Sequence, residues 1–110
     1  MDNISLTALA REQLELARRA PSGRSSRTVH GGHDQQLRQT LIALASGRSL
    51  DEHESPKEAT IYVVQGRVRL TAGDKSWPGA AGHFIAVPDA RHVLAADEDS
   101  VVLLTAVVSR

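Results

Sequence analysis

The chain contains no cysteine, only three aromatic residues and no net charge, and each shortage removes a class of protein. Without Cys there are no disulfides, no thiolate-bound zinc and no cysteine nucleophile. Thirteen Lys and Arg balance thirteen Asp and Glu, so the electrostatic footprint of a general nucleic-acid binder is missing. Tyr62, Trp77 and Phe84 are the only aromatics, too few for a base-stacking platform. Long apolar runs are also absent. The longest, VVLLTAVV at 101–108, has eight residues, which suits a buried strand and falls far short of a membrane span. The N-terminus lacks the basic patch and continuous apolar stretch of a signal peptide. These features describe one neutral domain of 110 residues, large enough to close its own core. It is expected in the cytoplasm, with neither nucleic acid nor membrane as a partner.

Charge is unevenly spread. Residues 1–48 carry seven Arg and four acids, a net +3, and residues 49–110 carry a net −3. The basic excess gathers at Arg11, Arg18, Arg19, Arg24 and Arg27, which reads either as a solvated helix face or as a patch for a small anion or membrane surface. Leu6, Leu9, Ala10, Leu14 and Ala17 recur at helical spacing and predict an amphipathic helix. Ser5 is its expected N-cap, Glu15 and Arg19 form an i, i+4 pair, and Pro21-Ser22-Gly23 stops it. A polar linker to residue 26 follows, then a short strand at 27–30 and a Gly31-Gly32 turn.

From residue 60 the pattern is β. The stretch 60–64 is rich in β-branched residues, and 67–71 alternates Val68 and Leu70 against Arg67, Arg69 and Thr71. A turn at Ala72-Gly73-Asp74 leads to 75–77, and further strands are expected at 84–87, 92–95 and 101–108. Many short strands at this spacing predict a sandwich or a barrel. The segment 37–45 is ambiguous. Leu37, Leu41 and Leu44 fit a helix capped by Asp34 and Gly47, and the same residues fit a strand with Thr40, Ile42 and Leu44 on one face.

The five histidines are the acid–base and metal candidates. His30 and His33 flank a glycine turn, where the i, i+3 spacing is not fixed by a helix. His83 opens an apolar strand, a usual place for a hydrogen-bonded histidine. His53 and His92 sit in frames. Gly47 and His53 are separated by five residues, and Ser55, Ala59 and Gly66 follow; Gly82 and Pro88 are again separated by five residues, and His92 follows. These spacings resemble the two cupin motifs, with fifteen residues between Gly66 and Gly82, as in the short inter-motif spacing of compact cupins of the RmlC-like jelly-roll type.

The resemblance covers roughly residues 40–108 and implies an all-β, cupin-type double-stranded β-helix, a jelly-roll barrel at 27–110 with an N-terminal helix and linker at 1–26. It also assigns 37–45 to a strand against local propensity. Metal-binding cupins place His, His and Glu in the first motif and His in the second. The corresponding residues here are His53, Ser55, Ala59 and His92. The second motif is one residue short before His92, and has Ala90 for Gly and Ala96 for Asn. Two imidazoles hold a divalent ion weakly, and strand alternation turns Glu58 away from the Ala59 face. The expected cofactor is therefore none or a weakly held divalent metal at His53 and His92.

Two histidines at the mouth of an apolar barrel serve as acid and base, or bind a carboxylate or phenol; alternatively they are hydrogen-bonded to Ser55 or to water. The expected function is binding of a small organic ligand through His53, Ser55 and His92. The alternatives are a metal-dependent enzyme of oxygenase, isomerase or decarboxylase type, and an interaction protein with a vestigial mouth. Arg91 is expected at the rim, and Tyr62 in the core or an interface. A homodimer is expected, with the strand at 27–30 or 101–108 near its interface, because edge strands seek partners. No phosphate loop, dinucleotide fingerprint, nucleophile elbow or zinc-protease motif occurs.

Overall fold

The N-terminal amphipathic segment is helix α1, Leu6–Arg19. Ser5 caps it, its Oγ accepting the Ala8 N–H at 3.2 Å. Leu9, Ala10, Gln13, Leu14 and Ala17 are its buried face, and Arg19 reaches Glu15 at 3.4 Å as the i, i+4 spacing predicts. The computed structural model describes residues 3–52 and 58–108. Among the described residues nine strands follow the helix: β1 Arg24–His30, β2 Leu37–Leu44, β3 Ser49–Glu52, β4 Glu58–Gln65, β5 Arg67–Ala72, β6 Lys75–Ala80, β7 Phe84–Ala86, β8 His92–Ala96 and β9 Ser100–Val107.

These strands form two antiparallel sheets, ordered β1-β2-β9-β4-β7 and β3-β8-β5-β6. The pairs β2 with β9, β3 with β8, β4 with β7 and β5 with β6 nest inside one another. That nesting is jelly-roll topology: a long hairpin of strand pairs folded over into two layers. Between the layers lies the main core. Ile42, Leu44, Ile61, Val63 and Val102 come from the five-stranded sheet, and Val68, Leu70, Leu94 and Ala96 from the four-stranded one. A second core sits outside, where Leu9, Ala10, Leu14 and Ala17 of α1 pack on Leu41, Ala43 and Val101.

This double burial settles the segment 37–45 in favour of a strand. Ile42 and Leu44 face the other sheet while Leu41 and Ala43 face the helix. Over 41–44 an apolar residue is needed at every position, so the leucines imitate helical spacing by accident. The strand near 27 begins earlier, at Arg24, so the expected linker shrinks. β3 was not expected at all. The strand near 75 continues through Pro78 to Ala80, because β6 is an edge strand with no ladder bond for the missing N–H to make. β9 is bonded on both sides and has no free edge, whereas β1 has one.

The glycines that carry the motif spacing, Gly47, Gly66 and Gly82, all have positive φ. At Gly66 space is limiting too. A Cβ there would lie 2.4 Å from the Asp99 carbonyl and closer still to Ser100 Oγ. Ser100 is buried and accepts the Arg67 N–H at 3.0 Å, so the turn from β4 into β5 is pinned beneath β9.

Candidate functional site

The interior between the sheets is not completely filled. A cavity of about 50 Å³ is lined by Ile42 of β2, Leu50 of β3, Ala59 and Ile61 of β4, and Val102 and Leu104 of β9. Val87, just past β7, and His92 and Leu94 of β8 complete the lining. The walls are aliphatic, with His92 the one ionisable side chain among these residues. Such a volume holds one to a few water-sized groups and is well below the roughly 300–1,000 Å³ of a drug-sized pocket.

His92 is 5% exposed. Its Nδ1 lies 3.0 Å from the Ala90 carbonyl. A carbonyl only accepts, so Nδ1 is the donor in this contact, and Nε2 is the ring nitrogen left for a ligand. The turn that presents this carbonyl is tight, with the Ala90 N–H bonded to the Pro88 carbonyl at 2.8 Å. The short turn before β8 thus delivers His92 to the interior, with its ring held by the backbone.

His53 and Ser55, the other predicted site residues, lie outside the described residues. β3 ends at Glu52, whose register partner across the sheet is His92. Ala59, at the motif's glutamate place, is buried and lines the cavity, while Glu58 is exposed. Alternation therefore removes Glu58 from the interior, as its position one residue out of phase predicts. Among the described residues no three His, Asp or Glu side chains gather as a metal site.

The remaining histidines line no part of the cavity. His83 is exposed, and its Nδ1 accepts the Ala80 N–H at 3.0 Å. His30 ends β1 and His33 lies in the loop after it, both exposed. Arg91 is exposed, in keeping with a rim position. Tyr62 is 45% exposed on the outer surface of β4, opposite the buried Ile61 and Val63.

The strongest electrostatic device lies away from the cavity. Asp99 accepts the Ser46 N–H at 2.8 Å and the Arg18 Nε–H at 2.8 Å. The Ser46 bond, then that of Arg18, holds its carboxyl below the ordinary value of 3.8. One carboxylate thereby ties the helix to the turn after β2 and to the β8–β9 connection.

Sequence reasoning missed Leu50, because β3 spans only Ser49–Glu52. Its signal was a single leucine between polar Ser49 and Asp51. It also missed a second, larger cleft of about 280 Å³, lined by Ser22, Arg24, Ser25, Ser26, Ile42 and Leu50. The serines read as linker.

No family model matches the chain, and no curated protein sequence does. Solved structures do match. A conserved Streptococcus pyogenes protein of unknown function is 27% identical, with 83% of this chain and 79% of that one covered and a TM-score of 0.71. A cupin 2 conserved barrel domain protein from Salinispora arenicola is 19% identical, over 96% and 87% of the two chains, with a TM-score of 0.70. The chain has a cupin-type fold. A Rhizobium leguminosarum protein of unknown function shares it end to end, at 16% identity over 99% and 98% of the chains and a TM-score of 0.70. A cupin-type fold fixes where an interior site lies and leaves its chemistry to the residues that line it. No helix among the described residues is long and apolar enough to cross a membrane.

Proposed function

We propose that this chain is a small RmlC-like cupin whose interior binds a small organic ligand, with His53, Ser55 and His92 forming the polar end of the site. The observation that carries this reading is His92: a buried imidazole, oriented by the Ala90 carbonyl, is the one ionisable side chain among the described residues that line an aliphatic cavity. Binding sites are typically apolar with few, well-placed polar groups. A neutral Nε2 accepts a hydrogen bond from a phenol or a protonated acid, and a protonated ring donates to a carboxylate. The small volume favours a ligand that enters part-way or displaces water.

The test is a ligand-observed NMR screen of small carboxylic acids and phenols. Hits are expected to bind the wild type and to be lost on His92→Ala. Hits that bind both proteins equally, or no hits, would overturn the reading.

A metal-dependent enzyme is the second reading, and one observation favours it. Metal-bound histidines commonly donate their other ring N–H to a backbone carbonyl, and His92 does so. Against it stands the donor set: Ala59 offers no ligand and Glu58 is exposed.

We also propose a homodimer through the outer face of β9, β4 and β7. There Tyr62 and Phe84 are cross-strand partners, 45% and 65% exposed, and Leu103 is the register partner of Tyr62 on the other side. Two of the chain's three aromatics stand on this surface, and a molecule of zero net charge meets no net repulsion from a second copy. The cytoplasm remains the expected location.

A further inference from the structure

Besides the interior cavity, the two sheets leave a cleft where their edges come together. β1 ends one sheet and β3 ends the other. The cleft of about 280 Å³ has Ser22, Arg24, Ser25 and Ser26 on one side and Ile42 and Leu50 beneath. Ile42 and Leu50 also wall the interior cavity, so the two spaces meet at these side chains.

The residues at the rim are unlike those of an ordinary strand edge. Arg24 and Ser26 register with Leu44 and Ile42, so they stand on the inward side of β1, while Ser25 and Arg27 register with Ala43 and Leu41 on the helix side. Ser25 is used there, donating to Gln13 of the helix. Arg18 and Arg19 are neutralised by Glu15 and Asp99. Among the described residues Arg24 has no carboxylate partner, and neither does Arg48, whose stem packs so closely over Gly23 that a Cβ would meet it. Part of the N-terminal basic excess is thus concentrated beside one cleft. A guanidinium and a hydroxyl over an aliphatic floor match an anionic head on an apolar chain. A guanidinium fork pairs two carboxylate oxygens at once.

We propose that the cleft between β1 and β3 binds an aliphatic carboxylate, with its head on Arg24 and Ser26 and its chain laid on Ile42 and Leu50 towards the interior. This rests on the reading of the interior as a ligand cavity and adds the class of ligand and its route of entry. An inward charge on an edge strand also discourages edge-to-edge pairing, and the experiment separates that role from binding.

Octanoate is titrated into the full chain by calorimetry, with amide shifts followed by NMR. Saturable binding is expected, with shifts at residues 22–26 and at Leu50. Arg24→Gln is expected to weaken it about tenfold, the loss of a charge-assisted pair, as is replacing octanoate by octanol. Arg27→Gln, on the other side of the same strand, leaves it unchanged. Equal affinity for Arg24→Gln and wild type, or no saturation in the millimolar range, would overturn the proposal. If Arg24→Gln changes only self-association, the arginine guards the edge and the proposal falls. His92→Ala distinguishes the two readings. Octanoate that tolerates His92→Ala but not Arg24→Gln supports this cleft without the interior site. The converse pattern keeps the interior site and rejects the cleft.

Discussion

The two faces of the five-stranded sheet bury their residues differently. Along the inner face, Ile42, Ile61, Val63 and Val102 meet the opposite sheet. Along the outer face, α1 covers the half around Leu41, Ala43 and Val101, while the half carrying Tyr62 and Phe84 is bare. Where both faces are buried, every residue must be apolar, and β2 ends in four consecutive buried positions. Where one face is open, the strand alternates, as β4 does. Covering helix and bare face are therefore written into the residue patterns of β2 and β4, two strands of one sheet on either side of β9.

The largest effect expected from breaking this contrast is at Leu41, which is fully buried beneath the helix. Leu41→Ala should lower stability by about 2–5 kcal/mol, read by urea denaturation. A loss below about 1 kcal/mol would mean that the helix adds little to the outer face. Next comes the turn that carries the chain from one sheet to the other. Gly66→Ala combines a positive φ of 88° with a clash against the Asp99 carbonyl, and should destabilise by about 2–4 kcal/mol. Gly47 also has positive φ, but nothing lies within 4 Å of a Cβ there, so Gly47→Ala should be milder by the steric share.

A smaller effect follows from the clamp that holds the helix-covered half. The Asp99 carboxyl sits below its ordinary value because the folded chain favours its charged form. Its contribution is complete above the unfolded-state value near 3.8, declines as pH falls through the lower folded-state value, and is gone beneath it. Asp99→Asn should flatten the acid limb of the stability profile and leave the rest of the curve's shape intact. The pair with Arg18 is solvent-exposed, so the loss at neutral pH is expected to be small.

The least effect on the folded monomer is expected on the bare half. Tyr62→Ser with Phe84→Ser should alter monomer stability by about 0.5 kcal/mol or less per site. The same pair should convert the proposed dimer to monomer in sedimentation velocity. A wild type that sediments as a monomer at all concentrations would remove the dimer.

The fold was legible where pattern and environment agree. The helix reads from Leu9, Leu14 and Ala17 because one face meets the sheet and the other meets water. The alternation of Val68 and Leu70 against Arg67 and Arg69 predicts β5 for the same reason. Local spacing left Leu37, Leu41 and Leu44 ambiguous, since only the pairing with β9 and the packing of the helix on the other face explain why 41–44 is apolar throughout. The glycine spacing of the motifs resolved what periodicity did not. At the site, His92 was legible from its frame, and the exposure of Glu58 followed from alternation. The cleft was not legible, because serines and Arg24 look the same in a linker as on the inward side of an edge strand. Only the meeting of β1 and β3 brings them to one cleft.

On the proposed reading, His92 anchors a small organic ligand rather than a tightly held metal. Elemental analysis of protein purified without chelator distinguishes the two. Well under one equivalent of any transition metal per chain, unchanged by His53→Ala or His92→Ala, is the predicted result. One equivalent that is lost with either substitution would contradict it.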